Sequence, residues 1–405
     1  MPRVVVSCPK PITFVTMKRS LYPWFTLSAV TVVAATYGLA RLGYGLFLPA
    51  FSQTFDLGPA LAGILSSGAS LLYCGAAVVG FRLAPSNPRL VTAFAGATAC
   101  AGSAGIALAP HVLVFVVAVL VAGMGAGFAS PALVELVRRN TEQGRRGRMQ
   151  SVVNSGTGFG VVVAGLVSLA LGDAWRVAWL VFAGIAGAST LAVLRLDRSS
   201  PRGAGSGPGR SAPVAASGPS VLWRPLMGSF VFGTGCAALW VYGRSTLEGA
   251  GGLDASLSAG AWIALGAGGA GATFLAPWLA SRPLSVTWPA TTVASAGATV
   301  MIGVAPGSAV LACAAAALFG LAYTAATSVL ILWASAVADA RESGAGGTSL
   351  LFIALVLGQA AGAFLTGLLL QVTGPPTAFA LSSILCAASA TAVVGSRRSA
   401  RQPSL

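Results

Sequence analysis

Long runs of apolar residues, separated by short polar breaks, follow one another along almost the whole chain. Each run has about 20 residues or more, the length of α-helix that crosses a hydrocarbon core of about 30 Å. Proline, glycine and charged residues mark the breaks. The pattern predicts an all-α integral membrane protein with twelve transmembrane helices, at about 21–49, 58–80, 88–109, 111–137, 148–171, 175–195, 222–248, 255–280, 286–305, 307–333, 345–371 and 374–395.

A stretch without apolar periodicity divides the chain near its middle. Residues 198–221 are rich in Ser, Gly and Pro, with arginines at intervals, which is typical of a flexible cytoplasmic linker. We therefore predict two bundles of six helices, at 21–197 and 222–396. Prolines interrupt residues 1–20, which we expect to form a disordered N-terminal extension, and residues 397–405 are expected to be a short cytoplasmic tail.

Short sequence matches relate the two halves of the chain at an offset of 196 to 198 residues. Tyr44-Gly45 corresponds to Tyr242-Gly243, Ala62-Gly63 to Ala259-Gly260, and Leu83-Ala84 to Leu279-Ala280. A duplicated six-helix unit is a common way of building secondary transporters. The shared offset predicts that the two bundles are related by pseudo-symmetry.

Composition excludes a soluble protein. The 405-residue chain is 56% hydrophobic and only 8% charged, whereas ordinary soluble domains are about 25% charged. A soluble protein rarely exposes large apolar patches, so most of this surface must face lipid. The six cysteines are scattered and lie mostly within apolar runs, which argues against a secreted disulfide scaffold.

Basic residues are concentrated in alternate loops between the predicted helices. The loops on the side of the two termini hold 21 of the 24 Lys and Arg residues. Cytoplasmic loops of membrane proteins carry such an excess, so we predict cytoplasmic termini and a multi-pass protein of the cell membrane. The net charge of +15 therefore reflects topology, and its spread between apolar runs argues against a nucleic-acid partner.

Two motifs and the helix arrangement resemble a known family. Residues 156–165 read GTGFGVVVAG, which is similar to the antiporter motif of the major facilitator superfamily, with Val161 where proline is usual. Residues 83–89 read LAPSNPR and resemble the family's loop motif between its second and third helices, without its aspartate. Together with the two six-helix halves, the resemblance covers residues 20–396.

This resemblance implies a fold, a mechanism and a place for the site. The fold would be two six-helix bundles, and the mechanism secondary active transport by alternating access. The substrate would lie near the membrane midplane, contacted by the first, fourth, seventh and tenth helices. In the fourth helix Val119 stands where some members place an arginine. Residues 40–49, ARLGYGLFLP, are similar to a bacterial branch, the YbfB-like transporters.

Arg41 is the main candidate for substrate binding. It follows Trp24 by 17 residues, or about 26 Å of α-helix, which places it at membrane depth, where arginine is rarely tolerated. Tyr37, Arg41 and Tyr44 share one face of an α-helix. A guanidinium flanked by two phenols suits a carboxylate or another flat anion. The alternative is that Arg41 bonds carbonyl groups near the outer interface.

The seventh predicted helix repeats this arrangement in the second half. Trp240 and Arg244 lie one turn apart, and Glu248 follows after another turn. Arg244 could form a salt bridge with Glu248 at the outer rim, or it could contact the substrate. In the second case, the two arginines would hold an anion between the halves.

Four further polar residues are candidates for lining the cavity. Asn154 and Gln359 occupy nearly equivalent positions in the two halves, and Tyr323 and Thr327 lie one turn apart in the tenth predicted helix. Each could contact the substrate or form hydrogen bonds that serve helix packing alone.

Glu135 lies near the inner end of the fourth predicted helix and is followed by Arg138 and Arg139. Because charges three and four residues apart meet on a helix surface, we predict that these three residues form a cytoplasmic gating network rather than a proton site.

These observations predict a secondary transporter of a small molecule and no enzyme. An organic anion bound by Arg41 fits the charges best, since the sequence places no carboxylate at mid-membrane. The alternatives are a proton-coupled exporter of amphipathic compounds and a non-transporting receptor on the same fold. We expect a monomer in the lipid bilayer, without cofactor or metal. The sequence leaves open whether a proton is coupled to transport.

Overall fold

The computed structural model describes residues 13–197, 219–339 and 346–393, and the side chains of 23–197, 222–337 and 347–393. Residues 1–12 of the predicted extension, most of the predicted linker and the whole predicted tail lie outside these ranges. The described residues are helical almost throughout, and their first helix begins at Thr13, inside the segment that we expected to be disordered.

The α-helices of the described chain follow the predicted runs closely. They are α1 (Thr13–Val33), α2 (Gly43–Phe55), α3 (Pro59–Leu83), α4 (Pro88–Leu108), α5 (Val112–Asn140), α6 (Arg146–Asn154), α7 (Gly156–Leu171), α8 (Trp175–Leu196), α9 (Pro219–Gly249), α10 (Ala255–Gly271), α11 (Ala276–Ser281), α12 (Leu284–Val304), α13 (Ala309–Asp339), α14 (Gly346–Val372) and α15 (Pro375–Ala388). Short 3₁₀ segments at Gln143–Arg145, Ala272–Leu275 and Ser389–Val393 extend α6, α10 and α15.

Eleven helical segments of the described chain are long and apolar enough to cross a membrane. The predicted crossing at 286–305 is also a helix, α12, but its mean hydropathy is lower because threonine and serine recur along it. Thr291, Ser295 and Thr299 each donate a hydrogen bond to the carbonyl one turn earlier. These bonds satisfy the hydroxyl groups within the helix itself, so α12 remains compatible with an apolar environment.

The first crossing is longer and less regular than predicted. It runs from Pro23 to Phe55, and a π-helical segment, Ala34–Arg41, lies between α1 and α2. The N–H of Leu42 bonds the carbonyl of Tyr37, five residues earlier, at 2.9 Å. A π-helical turn shifts all later side chains around the helix axis, and such turns occur frequently at functional sites.

Glycines of α7 hold this helix against both halves. Gly156 and Gly160 pack against the backbone of the first crossing, and a Cβ atom on Gly160 would lie 2.5 Å from the carbonyl oxygen of Ala34. Gly158 and Gly165 instead face α10 of the second half. The GTGFGVVVAG motif is therefore a packing element that places the π-helical segment and the second bundle on either side of α7.

Replacing Gly160 with valine should lower the melting temperature of the purified protein, because the new side chain would overlap the backbone of Ala34. Overpacking of this kind costs about 1–3 kcal/mol. Gly184→Val is the matched control, since a Cβ atom at Gly184 meets no atom within 4 Å. Equal melting temperatures for the two variants would contradict the tight crossing.

The two halves contact each other mainly toward one end of the bundle. We call the end with the loops at 56–58, 109–111 and 172–174 the outer end, and the opposite end the inner end, following the predicted topology. There α2 packs against α9, whereas α1 packs against helices of its own half. The helix pairs α3 with α14 and α7 with α10 also join the halves. The first and seventh predicted helices therefore meet at the outer end.

Candidate functional site

A cavity lies between the halves where the π-helical segment ends. The centre of a water-sized molecule can occupy about 50 Å³ of it. Elements of both halves contribute to its wall, as expected for a site that both bundles share. The lining residues are Ala40, Arg41, Leu42, Tyr44, Gly45, Ser66, Ala69, Ser70, Val119, Gly123, Ala237, Trp240, Val241 and Gln359.

Arg41 is the one charged residue in this lining. Its Nη2 donates a hydrogen bond to Oε1 of Gln359 at 2.8 Å, and its Cζ lies 4.6 Å from the ring centroid of Tyr73. Gln359 in turn donates from Nε2 to the hydroxyl of Tyr323 at 2.9 Å. A polar chain from Arg41 to Tyr323 thus crosses from the first half to the second.

The positive charge of Arg41 lacks a compensating carboxylate. In the part of the chain that the structure describes, the five salt bridges all involve other arginines. A guanidinium has five N–H donors, and among the described residues one of those of Arg41 forms a hydrogen bond, to Gln359. The remaining donors are free to bind an acceptor in the cavity.

Three other polar groups of the lining are also free. The indole N–H of Trp240 is buried and has no hydrogen-bond partner among the described residues. The hydroxyls of Ser66 and Ser70 likewise have none within the described ranges. Ser66, Ser70 and Tyr73 follow the spacing of one helix face, so α3 presents both hydroxyls beside the ring that supports Arg41.

Aromatic rings hold Trp240 in place. Its ring lies edge to face with those of Tyr323, Phe319 and Trp262, at centroid distances of 5.3, 5.6 and 6.2 Å. Such contacts restrict the rotation of the indole. The indole ring therefore forms a rigid part of the cavity wall, with its N–H group buried behind that wall.

The hydroxyls of the two predicted phenols, Tyr37 and Tyr44, bond groups other than Arg41. Tyr44 lines the cavity, but its hydroxyl donates to the carbonyl of Ala62 at 3.1 Å. Tyr37 lies outside the lining, and its hydroxyl pairs with that of Tyr73 at 3.0 Å. The aromatic ring in contact with the guanidinium comes from Tyr73 on α3, so Tyr37 and Arg41 both contact this one side chain.

Arg244 lies outside this cavity, in what we call the outer cluster, formed by Arg244, Glu248, Ser168, Ser258 and the carbonyl of Leu46. Its Nε bonds Glu248 Oε1 at 2.7 Å and Ser258 Oγ at 3.0 Å. Its Nη1 bonds the Leu46 carbonyl at 2.8 Å and Ser168 Oγ at 2.9 Å. Its Nη2 also bonds the Ala255 carbonyl at 3.1 Å, so three partners belong to the second half and two to the first, and the cluster ties α9 and α10 to α2 and α7. The salt bridge with Glu248, one of the two expected roles, is present.

Asp254, which caps α10 beside the outer cluster, accepts bonds from the hydroxyl of Ser256 and the N–H of Leu257. These two bonds hold the pKa of the exposed Asp254 carboxyl below its ordinary value, and the bond from the Ser256 hydroxyl has the larger effect. The cap therefore stays ionised at neutral pH and stabilises the start of the helix that carries Ser258.

Asn154 and Thr327 lie outside the cavity lining as well. Asn154 is exposed at the end of α6 and accepts a hydrogen bond from Gln150 at 3.0 Å. Thr327 donates to the carbonyl of Thr324 at 2.8 Å, within its own helix. Their hydrogen bonds therefore serve helix ends and helix backbones.

The predicted gating residues form an ion-pair cluster at the inner end. Glu135 accepts from Arg138 and lies 3.8 Å from Nε of Arg139. Arg139 also lies 3.9 Å from the carboxylate of Asp197, which Arg89 bonds at 3.1 Å. These residues, on α4, α5 and the end of α8, all belong to the first half. The cluster as described therefore ties helices within one bundle.

A second cavity at the outer end has a neutral lining. Its polar groups include Tyr242, whose hydroxyl donates to the carbonyls of Pro59 and Ala363 at 3.1 and 2.8 Å, and Ser245, which donates to the Tyr242 carbonyl. These hydroxyls are already used. The lining residues are Leu48, Ser52, Leu57, Pro59, Ala62, Tyr242, Ser245, Thr246, Gly249, Ala250, Leu370 and Pro375.

Sequence reasoning missed Ser66, Ser70, Tyr73 and Asp197. The first three share a face of α3, a spacing that the sequence does display. The side chain of Asp197 is fully buried among arginines, and its place at the end of an apolar run does not reveal this. Among the described residues, no group of three or more His, Cys, Asp or Glu is arranged to hold a metal ion.

Comparisons with known proteins give a family and a fold. The sequence model described as Major Facilitator Superfamily matches residues 30–347. A search of the curated proteins finds no match. Among solved structures, the chain is similar to a D-xylose–proton symporter, with a TM-score of 0.72 and 13% sequence identity, over 93% of this chain and 98% of that one.

Two further solved structures show the same fold. A bacterial homologue of the human lysosomal transporter Spinster, in an inward-facing and unoccupied conformation, has a TM-score of 0.66 and 16% identity, over 92% of this chain and 95% of that one. The nucleoside transporter NupG has a TM-score of 0.67 and 12% identity, over 91% and 98% of the two chains. At these identities the likeness concerns the fold alone.

Proposed function

The chain belongs to the major facilitator superfamily, and we propose that it transports a small organic anion, which Arg41 binds in the cavity between the two halves. The family and the fold make it a multi-pass membrane protein and a secondary transporter, not an enzyme. The anion, its binding residues and the cell membrane as its location are the parts that we propose.

The unpaired charge of Arg41 carries this proposal. A charged side chain inside a membrane protein is costly unless an opposite charge or several hydrogen bonds compensate it. Arg41 has one hydrogen bond, from Nη2 to Gln359, and a contact with the Tyr73 ring. A carboxylate in the cavity would supply the missing charge and could bond two N–H groups of the guanidinium at once.

A proton-coupled exporter of amphipathic compounds finds less support. The lining of the central cavity has neither a carboxylate nor a histidine to carry a proton. The lining carries a positive charge, whereas many amphipathic drugs are cations, so the cavity favours an anion over such drugs. The free hydroxyls of Ser66 and Ser70 point the same way, since they can donate to acceptor oxygens.

The contacts between the halves suggest how the cavity is reached. At the outer end, Gly45 packs against the carbonyl of Trp240, and the outer cluster joins α9 to α2 and α7. We take this arrangement as an inward-facing state with its outer end closed. The hydrogen bond from Arg41 to Gln359 joins the two halves. An anion that replaced Gln359 Oε1 as the acceptor would break this bond and so shift the balance between arrangements of the two halves.

Gln359→Glu tests this proposal. A glutamate at this position would place a carboxylate against Arg41 and compete with the anion, so we expect uptake to fall by about tenfold or more. Gln359→Met is the matched control, because it removes the hydrogen bond without adding charge and should retain much more uptake. The measurement is uptake into proteoliposomes across a panel of labelled organic acids and their neutral amides.

Two results would contradict the proposal. One is uptake of the neutral amides at the rate of the acids, which would remove the need for a cation. The other is wild-type uptake of acids by the Gln359→Glu variant, which would mean that the Arg41 charge does not bind the cargo.

A further inference from the structure

We infer that the cargo is a monocarboxylate with an apolar body, and not a dicarboxylate, a phosphate ester or a sugar. This inference rests on the proposed function, since it concerns the same cavity. It follows from the number of charges in the lining, the grouping of its polar atoms and the chemistry of the remaining wall.

The lining supplies one positive charge. Arg41 is its only charged residue, so the charge of a monoanion is matched and that of a dianion is not. A second carboxylate or a doubly charged phosphate would lie unpaired in a cavity surrounded by protein and lipid, where an uncompensated charge costs several kcal/mol. One cation therefore selects one anionic group.

The polar atoms are grouped around the guanidinium. Gln359 bonds Arg41 directly, and Ser70 lies one turn before Tyr73, whose ring contacts the Arg41 guanidinium. Ser66 lies one further turn along the same face of α3, about 10 Å along the helix axis from Tyr73. Arg41, Gln359 and Ser70 are therefore the groups suited to hold the oxygens of one carboxylate.

The rest of the wall cannot form hydrogen bonds through its side chains. It consists of alkyl groups and glycines, together with Tyr44 and Trp240. The hydroxyl of Tyr44 is already bonded to the Ala62 carbonyl, and the indole N–H of Trp240 is buried. A sugar or a polyhydroxy acid would place several hydroxyls against this wall and leave them unpaired. The alkyl and glycine residues are Ala40, Leu42, Gly45, Ala69, Val119, Gly123, Ala237 and Val241.

Trp240 adds one further feature to the expected cargo. Its indole is buried, its N–H is unpaired, and three aromatic rings fix its position. Because the unpaired N–H has almost no accessible surface, the ring offers the cavity an apolar face. The cavity thus suits a cargo with an apolar body.

Binding of six-carbon compounds of matched length tests this inference. The probes are hexanoate, adipate, gluconate and hexanamide, titrated into the purified full-length protein by calorimetry, with Arg41→Gln beside the wild type. We expect the Kd of hexanoate to be about tenfold or more below those of the other three, and this difference to disappear in Arg41→Gln.

The outcomes separate this inference from the proposed function. If adipate or gluconate binds as tightly as hexanoate and loses its affinity in Arg41→Gln, the monocarboxylate inference is wrong, and anion binding by Arg41 stands. If no acid binds with any dependence on Arg41, both fail.

A gain-of-function variant gives an independent check. Ser66→Lys adds a second cation to the half-buried face of α3 that lines the cavity. We expect it to improve the affinity for adipate relative to hexanoate by about tenfold. An unchanged ratio in the folded variant would overturn the inference that the number of cations sets the charge of the cargo.

Discussion

Arg41→Ala is expected to lower uptake of the transported anion by about a hundredfold or more. A hydrogen bond to a charged group contributes about 1.5–3 kcal/mol, and a carboxylate held by two guanidinium N–H groups loses two of them in this variant. The side chains of Gln359 and Tyr323 remain hydrogen-bonded to each other in this variant, so we expect the fold around the cavity to be retained. Uptake into proteoliposomes measures the effect at equal amounts of folded protein.

Two further substitutions make the Arg41 result specific. Arg41→Lys keeps the charge but loses the planar pair of donors, so we expect uptake between those of the alanine variant and the wild type. Arg82→Ala is the matched control, because this exposed arginine at the inner end of α3 has no ion pair or hydrogen bond within the described ranges. It should transport as the wild type does. Wild-type uptake by Arg41→Ala would contradict the assignment.

Arg244→Ala should produce the largest loss of stability among the variants considered. The side chain of Arg244 is 8% exposed and bonds Glu248, Ser258, Ser168 and two carbonyl groups. Removing one partner of a buried ion pair costs about 3–5 kcal/mol, because the other charge stays behind without compensation. The expected result is a clearly lower melting temperature and less folded protein after purification. Melting within experimental error of the wild type would exclude a structural role for the pair.

Replacing both charged residues separates the cost of the unpaired charge from that of the lost packing. The double variant Arg244→Met, Glu248→Met leaves no charge in the outer cluster. We therefore expect it to be more stable than Arg244→Ala, although two carbonyl groups and two hydroxyls still lose their donor.

The two serines of the outer cluster distinguish closure of the outer end from local stability. Ser168 lies on α7 of the first half, whereas Ser258 lies on α10, in the same half as Arg244. In Ser168→Ala, a bond between the halves is lost, so a cysteine placed at Ser66 should react faster with a membrane-impermeant maleimide added outside. Ser258→Ala should not change this rate. The assay needs a background without the six native cysteines.

The positions of the helices could be predicted from the sequence because apolar length alone decides them. The predicted run at 58–80 is α3, Pro59–Leu83, and the run at 175–195 is α8, Trp175–Leu196. α3 begins at Pro59 directly after Gly58, and α7 ends directly before Gly172, since proline and glycine interrupt helices for local reasons. The positions of proline and glycine can be read directly from the sequence, so these helix ends can be predicted.

The geometry around Arg41 could be predicted only in part. Its place at depth follows from its distance to Trp24, but the π-helical segment that contains both Tyr37 and Arg41 depends on how the first crossing packs against Gly156 and Gly160 of α7. That contact joins helices more than a hundred residues apart. The ring that contacts the guanidinium belongs to Tyr73 of α3, a neighbour that the spacing within the first helix does not reveal.

The partners of the charged groups depend on tertiary structure in the same way. Gln359 was a candidate from its repeat position, but its bond with Arg41 spans 318 residues of sequence. Asp197 is buried among Arg89, Arg139 and Asn140 because the ends of three helices converge there. Loop charges counted for topology do not reveal such convergence.

The central claim is that Arg41 binds the cargo, and locating a transported anion in a structure of its complex tests this most directly. We predict that the carboxylate lies about 2.7–2.9 Å from the guanidinium nitrogens of Arg41, in the cavity lined by Ser66, Ser70 and Trp240. An anion bound in the outer cavity beside Tyr242 and Ser245, with no contact to Arg41, would contradict the claim.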